Sequence, residues 1–285
     1  MKLNSMIKHV ALYATLGVSM TLTFNSCDEE VLASLTTDDT VLALKEALTI
    51  GAKTASQNLG QNGGYLNDAA VRIGVPEEYK TFFELANTDA GKTFLSAIGA
   101  EVFDEDKFVS LINQAAETAA PEAAEIFAGA ITDMTISDGE NILFGANNAA
   151  TQYLQDKTYD KLTVSFGSVV TNTFDQVSVS GFTLNDAWSK ISTGYNKVAS
   201  YKTSEKYSSA VMLALKLGLS AAGKSDIYEK IDAIQPVNTN LGEYVTGKAL
   251  DGLFLKVADK EAGIRANAAE RTSDLLQKVF GRLDK

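Results

Sequence analysis

The sequence predicts an all-α fold, a single multi-helix domain with one short extended segment near 71–75, and three observations carry that expectation. Only three of the 285 residues are proline (Pro76, Pro121 and Pro236), so long helices meet few covalent interruptions. Hydrophobic residues make up 45% of the chain and recur at helical spacing through most of it. Helix-start chemistry precedes several of those periodic runs, whereas strand-like alternation is confined to Val71-Arg72-Ile73-Gly74-Val75 ahead of Pro76.

The first segment is not part of the fold. Lys2 and Lys8, the uncharged run from Val10 to Phe24, and Asn25-Ser26-Cys27 before Asp28-Glu29-Glu30 have the layout of a secretory signal. The apolar run is too short for a confident membrane span. Because the only cysteine stands at the expected cut, the segment resembles a bacterial lipoprotein signal. On that reading residues 1–26 are removed, Cys27 carries lipid and 27–37 form an acidic tether. Residues 38–285 then make one helical domain, with 28–100 as a candidate subdomain.

Asp38 or Asp39 caps a first helix with Val41, Leu44, Leu48 and Ala52 on one face, stopped by Gly60, Gly63 and Gly64. Pro76-Glu77-Glu78 opens a second, with acids at the positive end of the dipole. Further helices are expected over 89–101, 105–119 and 121–134, the last started by Pro121. Ser137-Asp138-Gly139-Glu140 reads as a capping box before Ile142-Leu143-Phe144. Helices at 146–154 and 159–177 follow, then a turn at 178–182. Thr183 with Asp186 opens a helix containing Trp188, Ile191 and Tyr195, and another amphipathic stretch covers 204–222. The run 241–266 carries apolar residues on more than one face and reads as an inner helix. A helix over 268–283 closes the chain.

Composition excludes several chemistries. Loss of the signal removes Lys2, Lys8 and His9, leaving 23 Lys and Arg against 36 Asp and Glu, a net charge of −13 and no histidine. Such a surface repels phosphate backbones, so no nucleic-acid partner is expected. Without histidine, and with Cys27 acylated, Ser-His-Asp and Cys-His catalysis, disulfides and His/Cys zinc sites are ruled out. No metal or cofactor is expected. Carboxylate chemistry survives, including glycoside hydrolysis by two acids.

Short motifs are weighed against their plain readings. Ala86-Asn87-Thr88-Asp89-Ala90-Gly91-Lys92-Thr93 fits a relaxed phosphate-loop pattern, but a helical pattern precedes it where a strand is required. Asp104-Glu105-Asp106 and Asp138-Gly139-Glu140 lack calcium-loop spacing and read as helix starts. The candidate ligand-binding residues are Arg72 in the extended stretch, Asn113, Glu117 and Asp133 on apolar helices, and the stripe Tyr244, Lys248 and Asp251. A charge buried on the inner helix must be paired, so Lys248 and Asp251 are expected to form a core ion pair.

The motifs Leu44-Lys45-Glu46-Ala47-Leu48, Gly64-Tyr65-Leu66-Asn67, Ala146-Asn147-Asn148-Ala149-Ala150-Thr151-Gln152-Tyr153 and Tyr244-Val245-Thr246-Gly247-Lys248-Ala249-Leu250-Asp251-Gly252 come in order. Ile264-Arg265, Arg271-Thr272 and Leu275-Leu276-Gln277-Lys278-Val279-Phe280-Gly281 complete the series. Over most of 39–281 the chain resembles an exported bacterial family known as a domain of unknown function, number 4197. The resemblance implies a helical exported domain and transfers no catalytic or binding residue. Against that pattern, 199–229 reads as an insertion, Gly167-Ser168 and Asn267-Ala268 stand where proline is expected, and Lys260 interrupts an acidic pair.

The leading expectation is a lipid-anchored, non-catalytic helical protein of the cell envelope, held in the membrane through Cys27 and binding an envelope protein or small ligand. The outer membrane is favoured over the inner. The alternatives are a carboxylate hydrolase acting on a glycan through Glu117, Asp133 or Asp251, and a structural or assembly protein.

Overall fold

The structure, a computed structural model, describes residues 35–201 and 209–284. Cys27 and the signal therefore lie outside the described residues. The described chain is built almost wholly of helices, in agreement with the sequence.

Four long helices make the frame: α1 (Thr37–Leu59), α4 (Glu105–Asp133), α6 (Ala149–Asn172) and α10 (Leu241–Ala266). Between them come the short helices α2 (Lys80–Ala86), α3 (Asp89–Ala97) and α5 (Gly139–Leu143). Next are α7 (Leu184–Tyr201), α8 (Ser209–Ala221) and α9 (Ser225–Ala233), with α11 (Asp274–Phe280) closing the chain. Neighbours in the frame run antiparallel. Lys45 of α1 reaches Thr132 near the end of α4, and Thr173 just past α6 reaches Ala115 in the first half of α4. On the other side, Glu261 near the end of α10 meets Ala150 at the start of α6. The order α1, α4, α6, α10 is thus an up-down-up-down bundle, packed through Leu44, Leu48, Phe127, Leu154, Phe166, Val245, Phe254 and Val257, all buried.

A second core lies under α2, α3 and α7. Tyr79 sits 4.9 Å from Trp188 and 4.6 Å from Tyr195, ring centre to ring centre, while Phe108 of α4 stacks on Trp188 at 6.0 Å. The α8–α9 pair packs on α3 and α2. A two-residue hairpin, β1 (Ser178–Val179) and β2 (Phe182–Thr183), turns through Ser180 and Gly181, both at positive φ, as a primed turn requires.

Several boundaries differ from the sequence reading. The first helix is capped by Thr36, not Asp38 or Asp39. Its side chain accepts from Asp39 N, while the Asp39 carboxylate accepts from Thr36 N and is held below the usual carboxylate range by those bonds. Pro121 does not divide α4, because Phe108, Ile112 and Ala115 before it and Ala123, Phe127 and Ile131 after it continue one buried stripe. Packing along that stripe outweighs the single backbone bond that proline removes. The polar run 155–158 likewise leaves α6 continuous. The expected extended segment at 71–75 forms no strand: Val71 lies in a turn closed on Asp68 O, and 72–75 have no regular structure, their neighbouring strand being replaced by Asn113. Asp138, rather than Ser137, caps α5, accepting from Asn141 N, and Glu140 turns instead to Thr40 and Arg282. The expected closing helix breaks at Arg271, and Ser273 caps α11. The Thr183–Asp186 capping box stands as expected.

The buried charges of α10 are Glu261 and Arg265, not Lys248 and Asp251. Lys248 and Asp251 are each 53% exposed and stand 3.8 Å apart on the outer side of the helix. A pair so exposed contributes about 1 kcal/mol or less. Glu261 and Arg265 lie 2.7 Å apart at 0% and 3% side-chain exposure. No helix among the described residues is long and apolar enough to cross a membrane.

Candidate functional site

Three of the expected site residues do converge, but on the chain's own backbone. Glu117 of α4 accepts from Gly63 N at 3.1 Å through Oε2, and from Tyr65 N at 3.1 Å and Leu66 N at 3.0 Å through Oε1. One turn earlier, Asn113 accepts from Ile73 N at 2.9 Å and donates to Ile73 O at 2.8 Å, so its amide replaces a neighbouring strand. The Tyr244 hydroxyl donates to Gly74 O at 3.0 Å. Tyr65 donates to Ala249 O at 2.8 Å. Burial first, and then Glu117, pushes its phenol up, so it stays protonated and able to donate. Its ring lies on Gly252, where a Cβ would come within 2.8 Å of Cε1, too close for any larger residue. Residues 63–74 are thus strapped along α4 and α10, and Lys256 closes the strap on Asp68 at 2.7 Å.

The other candidates point elsewhere. Arg72 is exposed on the strap. Asp251 accepts from the Tyr159 hydroxyl at 3.3 Å beside Lys248, in solvent. Asp133 lines a cleft. Glu117, Asp133 and Asp251 therefore occupy three separate surroundings, not the facing pair that glycoside hydrolysis requires. Among the described residues no group of three or more His, Cys, Asp or Glu could hold a metal ion. The phosphate-loop motif falls on the end of α2 and the start of α3, where Thr88 accepts from Gly91 N at 2.9 Å and no strand precedes it. Asp104 and Asp138 are helix caps.

The Asp133 cleft has a volume of about 450 Å³, within the range of small-molecule sites. It lies between the C-terminal end of α4, the segment 134–137 and the first turns of α6. The end of α4 is fixed from both sides, since Lys45 donates to Thr132 O at 2.9 Å and the Tyr153 hydroxyl to Thr135 O at 2.7 Å. Met134 is buried beside it. Tyr153, Lys157 and Lys161 line one stripe of α6 at four-residue spacing, with Lys157 Nζ 5.6 Å above the Tyr153 ring. Sequence reasoning missed both lysines, though their spacing from Tyr153 was visible in it.

A second depression of about 430 Å³ is lined by Glu101, Phe182, Asp186, Lys190 and Lys197. Its charges are engaged already. Lys190 pairs with Glu101 and holds that carboxyl below its usual range, Thr183 does the same for Asp186, and Lys197 donates to Gly99 O.

A family model described as Protein of unknown function (DUF4197) matches residues 34–219 and 217–281. The chain belongs to this family. No curated protein and no solved structure matches it. Several stretches by which this chain resembles DUF4197 turn out to hold the bundle together. Gly64-Tyr65-Leu66 supplies amides to Glu117, Ala150-Thr151 supplies them to Glu261, and Arg265 and Arg271 anchor the last turns. In this DUF4197 chain, the Asp133 cleft lies apart from those ties.

Proposed function

We propose that this DUF4197 chain is a lipid-anchored protein of the cell envelope, on the outer membrane, that binds a small ligand or partner at the Asp133 cleft without catalysis. The observation that carries the binding reading is the cleft itself, where Asp133, Lys157 and Lys161 face one cavity while the depression beside Glu101 has its charges engaged. The separation of Glu117, Asp133 and Asp251 supports binding over glycan hydrolysis. The anchor rests on the sequence, where a lone cysteine follows a short apolar run and precedes acids.

Two measurements test the two halves. Cells labelled with a clickable fatty acid should yield labelled wild-type protein in the membrane fraction and unlabelled, soluble Cys27→Ala protein; unlabelled wild type removes the anchor. For the cleft, fragment screening by NMR should place shift changes at Asp133, Tyr153 and Lys157, lost in the Lys157→Met/Lys161→Met variant. Changes that avoid these residues remove the site.

A further inference from the structure

The charges around the Asp133 cleft are separated by sign and left unmatched. Asp133, Lys157 and Lys161 make no salt bridge with one another or with any other described residue, whereas Lys260 pairs with Glu270, Arg271 with Asp284 and Arg282 with Glu140. Asp133 stands in the last turn of a 29-residue helix, whose terminal carbonyls lack intrahelical donors and add negative potential beside it. Thr132 O is taken by Lys45, but Ala130 also lines the cleft. That wall attracts a cation. Across it, α6 presents Lys157 and Lys161 one turn apart, which attracts an anion. The Tyr153 ring and Met134 supply apolar contact between the two walls.

We infer that the cleft takes a dipolar ligand, an amino acid or short peptide whose ammonium group docks at Asp133 and the end of α4 while its carboxylate docks between Lys157 and Lys161. This inference rests on the reading of the cleft as a binding site. A simple anion would meet repulsion from Asp133 and the helix end, and a simple cation would meet it from the lysines. Only a ligand carrying both charges gains from both walls.

Isothermal titration of the purified chain with glycylglycine, N-acetylglycylglycine and glycylglycinamide separates the contributions. Glycylglycine should bind, and loss of either charged end should weaken binding about tenfold or more, the scale of one charge-assisted hydrogen bond. Asp133→Asn should lower glycylglycine affinity toward that of the N-acetyl probe and tighten binding of the N-acetyl probe, whose carboxylate no longer meets the Asp133 charge. Lys157→Met/Lys161→Met should lower it to that of glycylglycinamide. All three positions are exposed, and matching thermal melts check that the variants are folded. Equal binding of the three probes, or no binding of any, overturns the inference. If the fragment shifts still fall at the cleft in that case, the dipolar class fails and the site survives; if they do not, both fail.

Discussion

Replacing Glu261 by Gln, or Arg265 by Met, is expected to cost about 3–5 kcal/mol in a urea melt, because either change leaves a buried charge without its partner. Few side chains here are so fully enclosed or so fully engaged. Glu261 accepts from Ala150 N at 3.0 Å, Thr151 N at 2.7 Å and the Thr151 hydroxyl at 2.6 Å, which makes it the cap of α6 supplied from another helix. Arg265 donates to Glu261 at 2.8 Å, to Leu143 O at 2.6 Å and to Ile142 O at 3.0 Å, which closes the C-terminal end of α5. One i, i+4 pair therefore satisfies the ends of two other helices, and its charges complement both dipoles. In the double variant the uncompensated charge is gone, so its loss should fall short of the sum of the singles by about 0.5–3 kcal/mol. Single losses below about 1 kcal/mol would mean that water reaches these groups and that the pair is not enclosed.

This pair also shows where the sequence stopped being legible. The helix over 241–266 was readable from its apolar run, yet a helix with apolar residues on more than one face does not say which polar residue points inward. Lys248 and Asp251 and the pair Glu261 and Arg265 have nearly the same spacing. What separates them is that the starts of α6 and the end of α5 lie beside 261–265, a tertiary fact with no local signature. Caps with a local signature were read more easily: the Thr183–Asp186 box was found, and the start of α1 was placed within three residues of Thr36. Ser273, with the same chemistry, was overlooked inside an apolar run. The helix α9, with Ile227 and Ile231 buried, straddles the end of the 199–229 segment and has no counterpart in the sequence reading. In the site, the sequence marks Asn113, Glu117 and Tyr244 as candidate ligand-binding positions, and the structure turns all three onto the strap. Their partner was missed, because a strap of glycine-rich backbone offers amides and carbonyls that no side-chain pattern announces.

The same strap makes Glu117→Ala the second large loss. Glu117 is 5% exposed and takes up three backbone N–H groups, and a buried donor left unmet costs about 1–3 kcal/mol. Allowing for water entry, the expected loss is about 3 kcal/mol or more. Glu117→Gln should lose less, since its one remaining carbonyl oxygen can still serve Tyr65 N and Leu66 N while its amide faces Gly63 N–H. The damage should also be local. Hydrogen exchange at Gly63, Tyr65 and Leu66 should accelerate in Glu117→Ala while Ile73, held by Asn113, keeps its protection. Asn113→Ala should show the reverse. A carboxylate kept for a ligand behaves in the opposite way, because binding groups are commonly held at a cost to stability and their removal leaves stability unchanged or raises it. Urea melts of Glu117→Ala that match wild type, with unchanged exchange at 63–66, would therefore release Glu117 from the strap and return it to the ligand-binding candidates beside the Asp133 cleft.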